Sequence, residues 1–438
     1  MDSRGFVAEV IDDGQVSGQQ ILVVALCLLL NMLDGFDITA MAVVASGVSS
    51  ELSLTPDRLG WIFSFALAGM MAGAMFLAPV SDIIGRRKMI IGSAFTVGLA
   101  ILLTAQASTL AEFIALRFVA GVGAGAMLAS QATLAAEYSP DKYRSLSVAV
   151  VTAGYGLGAM MTSVVASYIM PGHGWRGMFW FGGGVTIMLG VVAVLLIPES
   201  LKYLFERRPA DALRRVNHIL GKLGKHTLSE LPDVAEPEKD HKRGFGGTLL
   251  SLVSKKNRKT TINLWLAFFL SFAALYFLMS WIPKLMEDAG FEPQVGRNAF
   301  FLFNLGGVIG IFVLGALSTR FKLSSLIFVS LTLAAFGMVV FAMAPHQLNT
   351  LLSIIFIVGA LQQGGFVGLY SAAAKAYPTE IRSTGIGWSM GLGRSGAVVG
   401  PAVAGYLIAA GLDMAANFYV FAVPMALAAV FAYKLHIR

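Results

Sequence analysis

Twelve runs of apolar residues, each bounded by charges or turn-forming residues, recur along the chain: 20–44, 59–80, 88–106, 110–136, 145–170 and 177–197, then 261–283, 298–318, 323–344, 350–373, 384–410 and 413–434. Each is long enough to cross a hydrocarbon layer ~30 Å thick, which takes about 20 residues of helix. The pattern predicts an all-α membrane protein with twelve transmembrane helices. Six runs, a polar gap and six more divide the chain into a first bundle over 1–197, a linker over 198–260 and a second bundle over 261–438.

Composition supports this pattern. Of 438 residues, 56% are hydrophobic and 13% charged, against about 25% charged in a soluble domain, so the surplus apolar surface has to face lipid. The 48 glycines suit helices whose backbones approach closely within a bilayer. Cys27 is the single cysteine, which excludes an intramolecular disulfide and a thiolate cluster, and the six histidines are scattered without ligand spacing. No metal is expected. No nucleophile and base stand in a motif, and the glycine tracts lie inside apolar runs rather than in a phosphate loop with its lysine. Neither an enzyme nor an ATP-driven pump is expected, and no cofactor. Asp2, Glu9, Asp12 and Asp13 outweigh Arg4 ahead of the first run, so the first helix is expected to act as an uncleaved insertion signal.

The formal net charge of +7 follows a topological rule. With the N-terminus inside, 26 of the 32 Lys and Arg residues are cytoplasmic, 14 of them between Pro198 and Thr260, while Arg58, Arg176, Lys284 and Arg297 fall outside. This is the positive-inside distribution, with both termini in the cytoplasm, and it needs no nucleic acid. Within the linker, Leu213, Val216, Leu220 and Leu223 recur at helical intervals beside Arg207, Arg208, Arg214 and Arg215. Residues Glu199 to Leu223 therefore read as a basic amphipathic helix, lying on the inner membrane surface or packing on the bundle ends.

The halves repeat. Ala78-Pro79-Val80-Ser81-Asp82-Ile83 after the second run aligns with Gly315-Ala316-Leu317-Ser318-Thr319-Arg320 after the eighth at an offset of 237, and Pro140 with Arg144 recurs as Pro378 with Arg382 at an offset of 238. Parallel six-helix repeats are a transporter layout. The loop residues Asp82, Gly85, Arg86 and Arg87 resemble the Gly-x-x-x-Asp-Arg-x-Gly-Arg-Arg/Lys motif of the major facilitator superfamily. Ala78 and Ile83 depart from it, and the second copy keeps Gly315 and Arg320 but has Thr319 for the aspartate. Asp34-Gly35-Phe36-Asp37 resembles the signature of that superfamily's aromatic acid:proton symporters. So do Arg117-x-x-x-Gly121-x-Gly123-x-Gly125, Glu137-Tyr138-x-Pro140, and Tyr377-Pro378-Thr379-Glu380-Ile381-Arg382 running on to Gly393-Arg394-x-Gly396 and Gly400-Pro401. The loop after the eighth run has Phe321 and Lys322 where some members carry a histidine. The resemblance implies alternating access in a bacterial inner membrane, a proton gradient as driving force, and a gate built from Asp82, Gly85, Arg86, Arg87, Glu137, Arg144, Arg320 and Arg382.

Charges inside the bilayer are expensive, by ~2.5–3.5 kcal/mol each on insertion scales, and mark function. Asp34 and Asp37 lie on one helix face with Asn31; two close carboxylates repel when both are ionised, so one is suited to load and release a proton. The rival reading is that they pair with Arg117 to hold helices together. Arg117 and Arg394, one per half, each match a carboxylate with a planar fork, although Arg394 also suits a gate. Phe269, Phe272 and Tyr276 in the seventh run and Phe366 and Tyr370 in the tenth stand at helical spacing and can stack on a ring. Asn304, Gln362 and Gln363 can hydrogen-bond a ring hydroxyl or a neighbouring helix. The expected function is symport of a small aromatic acid with protons by a monomer. A drug exporter and a non-transporting membrane sensor are the alternatives. Exporters usually carry Gly-Pro in the fifth helix, where this chain has Gly154-x-Gly156-x-Gly158.

Overall fold

The computed structural model describes residues 10–12, 16–232, 251–255, 257–345, 347–378 and 381–435. Among these, eleven helices are long and apolar enough to cross a membrane. The first half contains α1 (Gly18–Glu51), α2 (Pro56–Ala72), α3 (Arg86–Thr104), α4 (Leu110–Glu137) and α5 (Asp141–Leu196). At 1.5 Å per residue the 56 residues of α5 would reach about 84 Å, far beyond one crossing. It is two spans joined at Gly174, whose φ of 59° and ψ of −164° leave the helical region just after Pro171. The break falls between the fifth and sixth apolar runs, so the described chain crosses twelve times.

Local chemistry starts these helices where the sequence changes character. Ser17 caps α1, its Oγ accepting from Gln20 N at 3.3 Å while Gln20 Oε1 accepts from Ser17 N at 2.8 Å. Thr109 and Glu112 repeat that reciprocal arrangement at α4.

Between the halves, the linker holds α6 (Leu201–Arg207) and α7 (Ala212–Lys222). The single amphipathic helix expected over Glu199–Leu223 is therefore two. Arg208 takes a left-handed φ of 44° ahead of Pro209, and the helix cannot continue. Val216, Ile219, Leu220 and Leu223 are buried with Ile90, Tyr138, Ile197 and Leu204, so this face packs on the bundle end and not on lipid.

The second half contains α8 (Arg258–Asp288), α9 (Pro293–Leu317), α10 (Leu323–Met343), α11 (Leu348–Ala376), α12 (Arg382–Ala409) and α13 (Met414–Tyr433). Its packing repeats that of the first: α1 lies on α5 as α8 lies on α12, α2 on α4 as α9 on α11, and α3 on α5 as α10 on α13. The halves meet through α2 with α12, α5 with α9 and α1 with α8.

Three cross-half contacts among the described residues lie between mid-membrane and the end opposite the linker. Trp61 Nε1 donates to Tyr406 Oη at 3.0 Å, Ser167 Oγ lies 3.2 Å from Gln294, and the Phe63 and Trp281 rings meet edge-on at 5.4 Å. At the linker end, Arg144, Arg320, Phe321 and Arg382 are exposed.

Candidate transport site

Asp34 sits half-way along α1, and the crossing with α5 determines what surrounds it. A methyl group on Gly35 would come within 2.0 Å of the Tyr155 carbonyl oxygen, and one on Gly158 within 1.8 Å of that of Met32. Bare Cα–H surfaces let the two backbones touch, which brings Tyr155 beside Asp34. Asp34 is wholly buried and neither carboxylate oxygen has a hydrogen-bond partner. The Gln131 amide of α4 lies next to it, also buried and out of hydrogen-bonding geometry.

The second aspartate is engaged. Asp37 Oδ1 pairs with Arg117 Nη2 at 2.9 Å, both side chains buried, and Arg117 Nη1 also donates to the Asp37 carbonyl at 3.3 Å. The guanidinium lies 5.1 Å from the Phe179 ring centroid. Arg117 thus joins α4 to α1, and its fork is not open to a substrate carboxylate in this conformation. Asn31 is likewise committed, its Nδ2 donating to the Val151 carbonyl at 2.5 Å.

Arg394 is different. It lies near the middle of α12, about 18 Å from the helix start. Among the described residues it makes no ion pair. It is half-buried within electrostatic reach of Tyr155 and Tyr370. The Tyr155 and Tyr276 hydroxyls, one from each half, meet at 3.4 Å. Phe272 meets Phe366 edge-on at 4.6 Å and stacks toward Tyr276 at 6.0 Å, while Phe268 meets Tyr370 at 5.2 Å. The α8 ladder is therefore Phe268, Phe272 and Tyr276. Phe269 is not in it, because the turn of the helix puts Phe269 against Gly396 of α12, backbone to backbone.

The amides occupy the α9–α11 contact. Asn304 and Gln362 are buried, and Gln363 lies over Gly307. Both amide atoms of Gln362 lack partners.

At the linker end, Gly85 takes φ +104°, open to glycine and strained for other residues. A methyl there would also come within 2.3 Å of Glu199 Oε2. That turn starts α3 so that Arg86 pairs with Asp82 and, at 3.2 Å, with Glu137. The Arg87 backbone N–H donates to Glu199 Oε1 at 3.1 Å and Arg87 Nη2 to the Val194 carbonyl at 2.6 Å. Asp82 is exposed and paired with Arg86, and its carbonyl accepts from Arg207. Arg144 pairs with Asp141 one turn away, and Arg382 Nε donates to the Tyr377 carbonyl. Thr379 and Glu380 lie outside the described residues.

The sequence profile of the Major Facilitator Superfamily matches residues 27–296 and 264–437. This chain belongs to that superfamily. It is 31% identical to the 4-hydroxybenzoate transporter PcaK of Pseudomonas putida, over 97% of this chain and 94% of the relative. It is 29% identical to the benzoate transport protein of Acinetobacter baylyi, over 99% and 93%. The fold matches the crystal structure of a D-xylose-proton symporter with a TM-score of 0.75 at 16% identity, covering 95% of this chain and 98% of that one. The superfamily and these relatives are transporters, so the chain is an integral membrane transporter and not an enzyme.

Two polar members of this facilitator site escaped the sequence reading. Gln131 lies 14 residues after Arg117, nearly four helical turns, so it shares that residue's face. Tyr155 hid among Gly154, Gly156 and Gly158, glycines that read as packing; an aromatic residue amid them is the available signal.

Proposed function

We propose that this transporter imports a small aromatic monocarboxylate together with protons across the bacterial cytoplasmic membrane, by alternating access, with both termini inside. The observation that carries the reading is the Arg394 guanidinium, which makes no ion pair among the described residues and lies within electrostatic reach of Tyr155 in one half and Tyr370 in the other. A planar fork takes a carboxylate bidentately, and the rings offer an apolar, stacking surface to the rest of the molecule. A ligand held there touches α5 and α12 together, so loading is felt by both halves.

Asp34 is the proton carrier in this reading, because its carboxylate is buried without a partner while Asp37 is spent on Arg117. The cross-half contacts gathered away from the linker end correspond to an inward-open state, with the basic linker in the cytoplasm. A monomer suffices, since one chain supplies both sides of the site. No cofactor is needed, because the proton gradient drives uptake.

Proteoliposomes under an imposed pH gradient test the reading. Wild type should concentrate a radiolabelled aromatic acid against its gradient, and Asp34→Asn should lose that accumulation while keeping counterflow. Accumulation by Asp34→Asn equal to wild type would refute the proton role, and failure of the wild type to exchange any aromatic acid would refute the substrate class.

A further inference from the structure

The second half holds an unmatched acceptor on α9 and an unmatched donor on α11, two helices that pack on each other. Asn304, mid-way along α9, is 1% exposed. Its Nδ2 donates to the Phe300 carbonyl of its own helix at 2.9 Å, which orients the amide and leaves Oδ1 buried with no hydrogen bond. One turn on, Gly307 makes room for Gln363 of α11: a methyl group there would come within 2.1 Å of Gln363 Cδ. Gln363 Nε2 is buried and also has no hydrogen bond.

Gln363, Phe366 and Tyr370 are spaced i, i+3, i+7 and share one face of α11. The Phe366 and Tyr370 rings on that face meet Phe268 and Phe272 of α8. Along the helix, Gln363 stands about 10 Å from Tyr370, which lies within electrostatic reach of Arg394.

An amide oxygen accepts and an amide N–H donates, whereas a phenol hydroxyl does both. A methoxy oxygen accepts and cannot donate, and a ring C–H offers neither. A buried amide pair left unmatched penalises a ligand that fills the site without satisfying it. From Asn304 Oδ1 and Gln363 Nε2, left unmatched where α9 packs on α11 and on the face of α11 that carries Phe366 and Tyr370, we infer that this transporter reads one ring hydroxyl and carries a hydroxylated aromatic acid in preference to its unsubstituted parent. The inference rests on the aromatic-acid reading above and goes further by separating 4-hydroxybenzoate-like from benzoate-like substrates.

Counterflow in proteoliposomes, with 3- and 4-hydroxybenzoate, benzoate and 4-methoxybenzoate as the four probes, tests it. At least one hydroxybenzoate should exchange with a KM about 10-fold or more below those of benzoate and 4-methoxybenzoate. Asn304→Leu and Gln363→Met should each bring that ratio to within about threefold, by weakening the hydroxylated acid far more than benzoate. Should Asn304→Leu fail to insert, Gln363→Met carries the same ratio. Benzoate exchanging as well as both hydroxybenzoates in the wild type overturns the hydroxyl receptor and leaves aromatic-acid transport standing, as does full preference retained in a folded variant. Exchange of none of the four overturns both readings.

Discussion

Replacing Arg117 by methionine takes away the guanidinium that Asp37 Oδ1 holds at 2.9 Å, and leaves a carboxylate that is 2% exposed in the middle of the first half. Removing one partner of a buried pair costs about 3–5 kcal/mol, because the remaining charge keeps its desolvation penalty and loses its compensation. The guanidinium also lies over the Phe179 ring, a contact that adds roughly 1–2 kcal/mol when desolvated, so the single variant should sit at the upper end of that range. Asp37→Leu with Arg117→Met removes both charges, and well-packed apolar replacement of a buried pair is near neutral. The double variant should therefore lie within about 1–2 kcal/mol of wild type. At ~2 °C per kcal/mol for a chain of this size, the single variant unfolds about 10 °C lower and the double variant recovers most of the difference. Intrinsic-fluorescence melting of detergent-purified protein measures both. A double variant as unstable as the two singles added together would refute the reasoning, since the losses would then arise from packing and not from the pair. Counterflow in the double variant adds a functional reading: retained exchange assigns Arg117 to architecture, and abolished exchange in a folded protein returns it to the substrate path.

Gly158→Ala puts a methyl group 1.8 Å from the Met32 carbonyl oxygen, so α1 and α5 must separate. A loss of at least 1–3 kcal/mol is expected, visible as a fall in the monodisperse fraction on size exclusion, and a normal yield with unchanged melting would contradict the close crossing. Gly85→Ala meets both a φ of +104° and the Glu199 carboxylate; the strained backbone alone costs about 1–3 kcal/mol, and a melting curve identical to wild type would show that the turn is not held as described. Arg394→Lys keeps the charge and loses the fork, so KM for the aromatic acid should rise about tenfold with surface expression unchanged. An unaltered KM would remove Arg394 from the substrate site.

What the chain determined without its tertiary structure was everything that depends on one segment at a time. Membrane insertion is decided by the hydropathy of each run and the charges at its ends, so the twelve crossings, the break near Gly174 and the basic linker were all readable along the sequence. So was the cost of Asp34, Asp37, Arg117 and Arg394, since a charge in hydrocarbon is expensive wherever its partner lies. Partners were another matter. Asp34 and Asp37 share one face of α1, and which of them meets Arg117 depends on where α4 crosses α1. Phe268 and Phe269 differ by one residue, or about 100° of rotation, and the α8–α11 contact chooses Phe268. The linker helix looked continuous in its apolar spacing, and the left-handed turn at Arg208 before Pro209 divided it. Tyr155 joined the site because Gly35 and Gly158 let two backbones touch. Helix periodicity places a side chain on a face, but the neighbour that face meets is set by crossing angles and glycine contacts between segments distant in sequence, and in this chain those crossings decided which of the described polar groups are paired and which are not.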